Sequence, residues 1–322
     1  MYLVTGGAGF IGSHIARKLV AMGERVRVLD NFSAGKLENL NGVENHVEIV
    51  NGDILDQALL TKSMRGVKIV LHQGALRSVP FSVENPGIVN RVNVEGTINV
   101  LLAARDAKVK RVVSASSSSV YGNTKVFPNR ESVMPAPVSP YAASKLAAEH
   151  YCKVFTELYG LETISLRYFN VFGPRQDPNS QYAAVIPRFI TNALQKRPLE
   201  IHGDGLQSRD FTYIDNVVDA NLLAARCPHG IGEAFNVAQG KCYSLLDFVD
   251  LLRSITEKEL AIKHVAARPG DVRQTLADIS RSQNILGYRP PVSFEQGILR
   301  TVRYFMEEAK QPEVASNGTV EL

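Results

Sequence analysis

Residues 2–30 constrain the fold more than any other stretch. Tyr2-Leu3-Val4-Thr5 is an apolar run of strand length, and Gly6-Gly7-Ala8-Gly9-Phe10-Ile11-Gly12 follows it at once. Ile11, Ile15, Leu19 and Val20 then recur on one face of a helix. A second run, Arg25-Val26-Arg27-Val28-Leu29, ends at Asp30. Strand, glycine turn, helix, strand and acid in this order make a dinucleotide-binding unit. Gly6, Gly9 and Gly12 are spaced one residue wider at the start than the commonest pattern. Their missing side chains let the backbone turn tightly and approach a pyrophosphate at the helix N-terminus, where Phe10 and Ile11 lie. Asp30 can accept both hydroxyls of an adenosine ribose. Its charge repels a 2′-phosphate, so the expected cofactor is NAD rather than NADP.

The same rhythm continues. Strand-like runs recur at Val47–Val50, Ile69–Leu71, Arg111–Ser114 and Thr163–Leu166, separated by helical patterns that include Val92–Ala107 and Tyr141–Tyr159. Alternation of this kind predicts a doubly wound parallel α/β (Rossmann) sheet with helices on both faces. Ligands of such sheets bind at the carboxyl ends of the strands. There the sequence places Asp53-Ile54, His72-Gln73-Gly74-Ala75 and the run from Ser116 to Gly122. The alternation breaks after Phe169. The expected organisation is a nucleotide-binding domain over 1–169, to which 210–237 partly returns, and a smaller α+β substrate domain from 170–209 and 238–310. Residues 311–322 lack periodicity and are expected to be a disordered tail.

The bulk numbers narrow the function classes. A chain of 322 residues with 45% hydrophobic and 21% charged residues has the make-up of a globular protein. The net charge of +4 comes without any dense Lys/Arg block, which argues against nucleic acid and fits a small anionic ligand. Cys152, Cys227 and Cys242 have no metal-ligand spacing, so no metal is expected, and a sparse odd count suggests reduced thiols. No apolar run approaches about 18 residues and the N-terminus lacks the pattern of a signal peptide. The expected location is the cytoplasm, away from membranes.

One further stretch carries chemistry. In Ser139-Pro140-Tyr141-Ala142-Ala143-Ser144-Lys145, serine and proline predict a helix start. Tyr141 and Lys145 then share a helical face. A neighbouring ammonium favours the phenolate, so the expectation is a lowered Tyr141 pKa and a base usable near neutrality.

With these segments in place, the chain from Tyr2 to about Phe305 resembles the extended short-chain dehydrogenase/reductase superfamily, and within it the nucleotide-sugar 4-epimerases. The segments that carry the resemblance are Thr5–Gly12, Asp30-Asn31-Phe32-Ser33, Gly52-Asp53-Ile54, Asn93–Thr97, Ser116–Gly122, Tyr141–Lys145 and Arg167-Tyr168-Phe169-Asn170. It implies cofactor contacts at Asn31, Ser33, Gly35, Asp53, Ile54, Gln73, Ala75, Asn93, Ser116 and Tyr168. Arg77 stands where some members carry a lysine, and Gly74 replaces a more usual alanine. The catalytic set it implies is Ser117, Tyr141 and Lys145. Related 4,6-dehydratases carry an Asp-Glu pair where Ser118 and Ser119 stand, and related decarboxylases carry a glutamate there, so both chemistries are disfavoured.

For the nucleotide sugar, the resemblance implies that Arg209 and Arg268 bind the diphosphate, Asn170 the sugar diphosphate and Asp271 a ribose. Ala184, Val185 and Leu199 would lie beside the base, and Ser118 and Ser119 beside the sugar. Thr275 stands where epimerases restricted to glucose and galactose have tyrosine, which implies room for an N-acetyl group. The reaction so implied is C4 epimerisation of UDP-hexoses, UDP-glucose and UDP-N-acetylglucosamine included, through a 4-keto sugar with NAD retained. Alternatives are a UDP-glucuronate 4-epimerase, a net dehydrogenase or reductase, and a non-catalytic NAD sensor. Family members commonly dimerise through a four-helix bundle, so a homodimer is expected.

Overall fold

The glycine turn sits where the expected unit requires it. In a computed structural model, which describes residues 1–178, 184–266 and 273–310, β1 (Tyr2–Thr5) leads into α1 (Phe10–Ala21) and β2 (Val26–Asp30) returns parallel to β1. Next come β3 (Val47–Asn51), α2 (Gln57–Ser63), β4 (Ile69–His72), α3 (Val79–Glu84), α4 (Pro86–Asn90) and α5 (Gly96–Asp106). This half closes with β5 (Arg111–Ser117), α6 (Pro140–Tyr159) and β6 (Glu162–Tyr168).

Shorter elements follow: β7 (Val171–Phe172), α7 (Val185–Leu194), β8 (Leu199–His202), β9 (Ser208–Arg209) and β10 (Thr212–Tyr213). After them run α8 (Ile214–Arg226), β11 (Glu233–Val237), β12 (Tyr243–Ser244) and α9 (Leu245–Thr256). The last are β13 (Ile262–Val265), β14 (Gln274–Thr275) and α10 (Phe294–Glu308). The expected tail over 311–322 lies outside the described residues.

The main sheet has seven strands in the order β11-β6-β5-β4-β1-β2-β3, every pair parallel. β1 and β5 are buried along their whole length, as strands covered on both faces must be. The order reverses between β1 and β4, and such a switch point opens a crevice at the carboxyl ends. There the Thr5 hydroxyl and His72 Nδ1 are 2.7 Å apart, and the Gln73 N–H donates to Thr5 O at 3.1 Å.

Two of the boundaries that depart from the expectation bear on the site. β5 runs on through Ser116 and Ser117, because β6 pairs with it as far as Ser117 opposite Tyr168. The helix expected from Val92 begins earlier, at Pro86, and is interrupted by a π-helical turn over Arg91–Glu95.

Beyond β6 the small sheets β12-β9-β14 and β13-β8 are covered by α7, α9 and α10 around an aromatic cluster. Phe294 stacks on Phe211 at 5.4 Å and on Tyr243 at 4.2 Å, and Phe189 stacks on Phe248 at 6.0 Å. Capping boxes, Ser244 with Asp247 and Ser293 with Gln296, start α9 and α10. The apolar core runs without a break from Val4, Leu71 and Leu166 to Phe189 and Phe294.

Candidate functional site

The glycine turn leaves no room for side chains at its two ends. Gly6 has φ +65°, and a Cβ there would stand 2.7 Å from Gly74 N. A Cβ at Gly12 would collide with the Gly6 carbonyl oxygen. Gly9 precedes α1 without a side-chain cap, so the first-turn N–H groups at Phe10 and Ile11 face outward from the turn. Gly35 packs equally close, with its would-be Cβ 2.9 Å from Asp30 Oδ2. Ala8 N donates to Asp30 Oδ2 and Phe32 N to Asp30 Oδ1, both at 2.9 Å. Each carboxylate oxygen retains a second lone pair for a ribose hydroxyl. The bare backbone cradle and this acid fit a dinucleotide.

Around that cradle, Asn31 Nδ2 donates to Asp53 Oδ2 at 2.8 Å, and Asn31 Oδ1 accepts the Ser33 hydroxyl at 2.7 Å. The Asp53 carboxylate also accepts Leu55 N at 2.9 Å, which sets the turn that buries Ile54. On the other side of the crevice, Gln73, Tyr168 and Asn221 form a triangle. Tyr168 donates to Gln73 Oε1 at 3.2 Å, and Asn221 Nδ2 donates to Tyr168 Oη at 2.8 Å. Burial pushes the Tyr168 phenol up, so it stays a donor. His72, between Thr5 and Thr97 at 2.7 and 3.0 Å, is driven down to about 3 by burial and then by Lys145, and is neutral.

Asn93 does not cap a helix. It lies in the π-helical turn, where its Oδ1 accepts Leu76 N at 2.8 Å and its Nδ2 donates to Leu76 O at 2.9 Å and Ser144 Oγ at 3.0 Å. Ser144 Oγ in turn donates to Tyr141 O at 2.8 Å. Asn93 therefore ties the loop bearing Gln73, Ala75 and Arg77 to the helix bearing Tyr141. Asn93→Ala leaves the Leu76 backbone groups without this partner and is expected to cost about 1–3 kcal/mol of stability. Calorimetry checks this, and a melting temperature equal to the parent's removes the clamp from the account.

α6 begins as its first residues dictate: Ser139 Oγ accepts Ala142 N at 3.2 Å and Pro140 opens the helix. The expected relation of Tyr141 to Lys145 needs correction. Lys145 Nζ donates to Ala115 O at 2.9 Å and is buried. Burial raises the Tyr141 phenol rather than lowering it, and the offsetting influences are a hydrogen bond with Ser117 and the charge of Arg77. Desolvation outweighs the neighbouring charge. The same burial brings Lys145 down to about 8, with Cys152 and Glu149 opposing it.

Ser117 Oγ accepts Ser119 N and donates to Ser119 Oγ, both at 3.1 Å, which curls Ser118–Tyr121 into a 3-10 turn beside Tyr141. Ser116 uses its hydroxyl on Glu149, in the interior.

Of the residues expected to meet the nucleotide sugar, Asn170, Arg209 and Thr275 lie together. Asn170, at φ +36°, donates through Nδ2 to Asp210 O and Thr275 Oγ1, both at 3.0 Å. Arg209 of β9 pairs in register with Thr275 of β14. Asp210, missed in the sequence, holds this corner together. Its carboxylate accepts Gln239 N at 2.9 Å, Gly240 N at 3.0 Å and Ala277 N at 3.2 Å. An acid between Arg209 and Phe211-Thr212-Tyr213-Ile214 was the available signal. Ala184 and Val185 start α7, and Leu199 is buried at the start of β8. Arg268 and Asp271 lie outside the described residues. Among the described residues no cluster of side chains could hold a metal, and no helix is long and apolar enough to cross a membrane.

Comparison with known proteins fits this geometry. The profile of the NAD dependent epimerase/dehydratase family matches residues 2–238. A UDP-glucose 4-epimerase of Mycolicibacterium smegmatis is 38% identical over 96% of this chain and 99% of its own. Among solved structures, a UDP-N-acetylglucosamine 4-epimerase from Methanobrevibacter ruminantium, in complex with UDP-N-acetylmuramic acid, superposes with a TM-score of 0.92. It is 41% identical, covering 95% of this chain and 98% of its own. A UDP-glucose 4-epimerase of Thermus thermophilus in complex with NAD gives a TM-score of 0.87 at 36% identity, over 95% and 98% of the two chains.

Proposed function

The chain belongs to the NAD-dependent epimerase/dehydratase family, and we propose that within it the protein is an NAD-dependent UDP-hexose 4-epimerase. The observation that carries this reading is Ser117 at the end of β5, whose hydroxyl eases the Tyr141 phenol down, with Tyr141 one helical turn from a buried Lys145. A hydroxyl next to a phenol suits proton transfer at a sugar hydroxyl. Ser118 and Ser119 beside them offer no carboxyl group to assist water elimination or loss of carbon dioxide.

In this reading Gly6, Gly9, Gly12 and Asp30 hold NAD, with Asn31, Asp53 and the Gln73–Arg77 loop around it. Bound NAD supplies a hydride acceptor and returns the hydride, so the reaction leaves no net redox change. With the positive charge of bound NAD added to those of Lys145 and Arg77, Tyr141 as phenolate would take the proton from the sugar O4 and give it back after the sugar has turned its other face. Ser117 holds that hydroxyl against the phenol. Lys145 contributes positive charge beneath them. Arg209 and Arg268 clamp the diphosphate, which leaves the hexose free to rotate.

The test is an assay of purified protein without added NAD, in which UDP-N-acetylglucosamine, UDP-glucose and UDP-glucuronate are incubated separately and products resolved by NMR. Galacto epimers from the first two are expected. Turnover of UDP-glucuronate alone replaces the substrate assignment, and net oxidation of any sugar overturns epimerisation.

Thr275, held by Asn170 beside Arg209, sets the space at the sugar's C2 substituent. Thr275→Tyr is expected to lower turnover of UDP-N-acetylglucosamine about tenfold or more relative to UDP-glucose, the scale of a 1–3 kcal/mol overpacking cost. An unchanged ratio moves the C2 wall elsewhere.

The working unit is a homodimer in the cytoplasm. Exposed Tyr151, Val154 and Leu158 form an apolar stripe along α6, which a second copy would cover. Sedimentation of the purified protein tests the dimer.

A further inference from the structure

One buried ion pair stands directly behind the reacting groups. Tyr141, Lys145 and Glu149 follow one another at intervals of four along α6, on one face of the helix. Glu149 is 9% exposed. Arg167 of β6 meets it with Nε at 3.0 Å from Oε1 and Nη2 at 2.7 Å from Oε2. The remaining arm of Arg167 donates to Tyr121 Oη at 2.9 Å, and the guanidinium lies 4.9 Å from the Tyr121 ring centre. Tyr121 donates its own hydroxyl to Asn236 Oδ1 at 2.7 Å.

Glu149 has a second contact, and it points toward the chemistry. Ser116 donates its hydroxyl to Glu149 Oε1. Ser116 lies between Ala115, whose carbonyl receives Lys145 Nζ at 2.9 Å, and Ser117, which reaches Tyr141. The carboxylate thus touches the strand end from which both partners of the phenol–ammonium pair are held.

We infer that Glu149 is a positioning residue: it supplies the negative charge against which the Lys145 ammonium sits and fixes the end of β5 that presents Ser117. Arg167 is its counter-ion and holds it in place. This rests on the epimerase reading only for what Lys145 then does for Tyr141. The groups facing Lys145 are Cys152 and Glu149 on its own helix, neutral His72 on β4 and the Ala115 carbonyl on β5, while Arg167 on β6 pairs with Glu149 and Arg77 faces Tyr141. Glu149 is the acidic side chain among them. Burial disfavours the charged lysine, and Cys152 and then Glu149 oppose that.

A purely structural role would make every break of the Glu149–Arg167 pair equivalent. A positioning charge would not. Glu149→Gln removes the anion and leaves a cation behind Lys145, whereas Arg167→Gln breaks the same pair and leaves the anion. The direct readout is NMR titration of the holoenzyme carrying ¹³Cε-labelled lysine, with the Lys145 signal assigned by its loss in Lys145→Met. The parent midpoint is expected near about 8. Glu149→Gln should lower it by roughly one pH unit or more, the scale of a neighbouring charge. Arg167→Gln should hold it or raise it, and Glu149→Asp should hold it.

The basic limb of the epimerisation pH profile should move in the same order. Equal midpoints in the parent and Glu149→Gln overturn the inference, as does a fall in both variants. Removing one partner of a buried pair is strongly destabilising. If Glu149→Gln does not fold, Arg167→Gln decides, because a lowered midpoint there is incompatible with an anion acting on Lys145. A parent that epimerises no UDP-hexose sinks the proposed function, while the titration still decides the role of Glu149.

Discussion

Tyr141→Phe is expected to lower turnover by about 10²- to 10⁴-fold, the usual scale for losing a positioned acid–base group, while NAD stays bound. The substitution removes one oxygen and keeps the ring. The glycine cradle, Asp30 and the Asn93 clamp make none of their contacts with that oxygen. Turnover is followed by NMR, and bound cofactor is measured by absorbance after acid release. The phenol is raised by burial and eased down by Ser117 and Arg77. A variant that keeps a tenth of parental turnover would move the proton transfer to another group. Loss of cofactor together with activity would make Tyr141 a binding residue instead.

Gly12→Ala should have an effect of similar size on a different quantity. Its new methyl group is driven into the Gly6 carbonyl, and Gly6 has the backbone of Gly74 2.7 Å from where a Cβ of its own would stand. Overpacking of this kind costs about 1–3 kcal/mol in stability. It also pushes the turn out toward the pyrophosphate, so purified Gly12→Ala should carry little NAD. Gly87→Ala is the matched control. It lies in α4 with open space where a Cβ would go, and helical Gly→Ala changes at such sites stabilise by about 0.4–1 kcal/mol. Calorimetry and cofactor content on both proteins check the pair. Equal NAD content in both would show that the glycine spacing serves folding alone.

What could be read from the sequence was what neighbours in the chain decide. The strand, turn, helix and acid of residues 2–30 interact with one another, and each local preference agrees with the final fold. The Ser139 cap and the shared face of Tyr141 and Lys145 follow from helical geometry alone. The long-range pairs were out of reach. Spacing revealed the lysine near Tyr141 but not the burial that outweighs it, nor the Ala115 carbonyl that holds the lysine from thirty positions away. Asn93 was expected only as a cofactor contact; its partner Leu76 comes from a loop whose path only the packed sheet determines. Asp210, Asn221 and the Glu149–Arg167 pair are polar groups in apolar surroundings, and their partners lie on other elements.

The last strand to join the main sheet has a bearing on how the protein is made. β11 pairs with β6, yet the chain between them first builds β7 to β10, α7 and α8. During translation the outer edge of β6 therefore stays bare after its own half has emerged, and an unpaired parallel edge is a template for another nascent chain. The interval ends when residues 233–237 clear the ribosome. A stop codon or cleavage placed between β6 and β11 would release a fragment with that edge permanently open, prone to precipitate rather than to bind nucleotide.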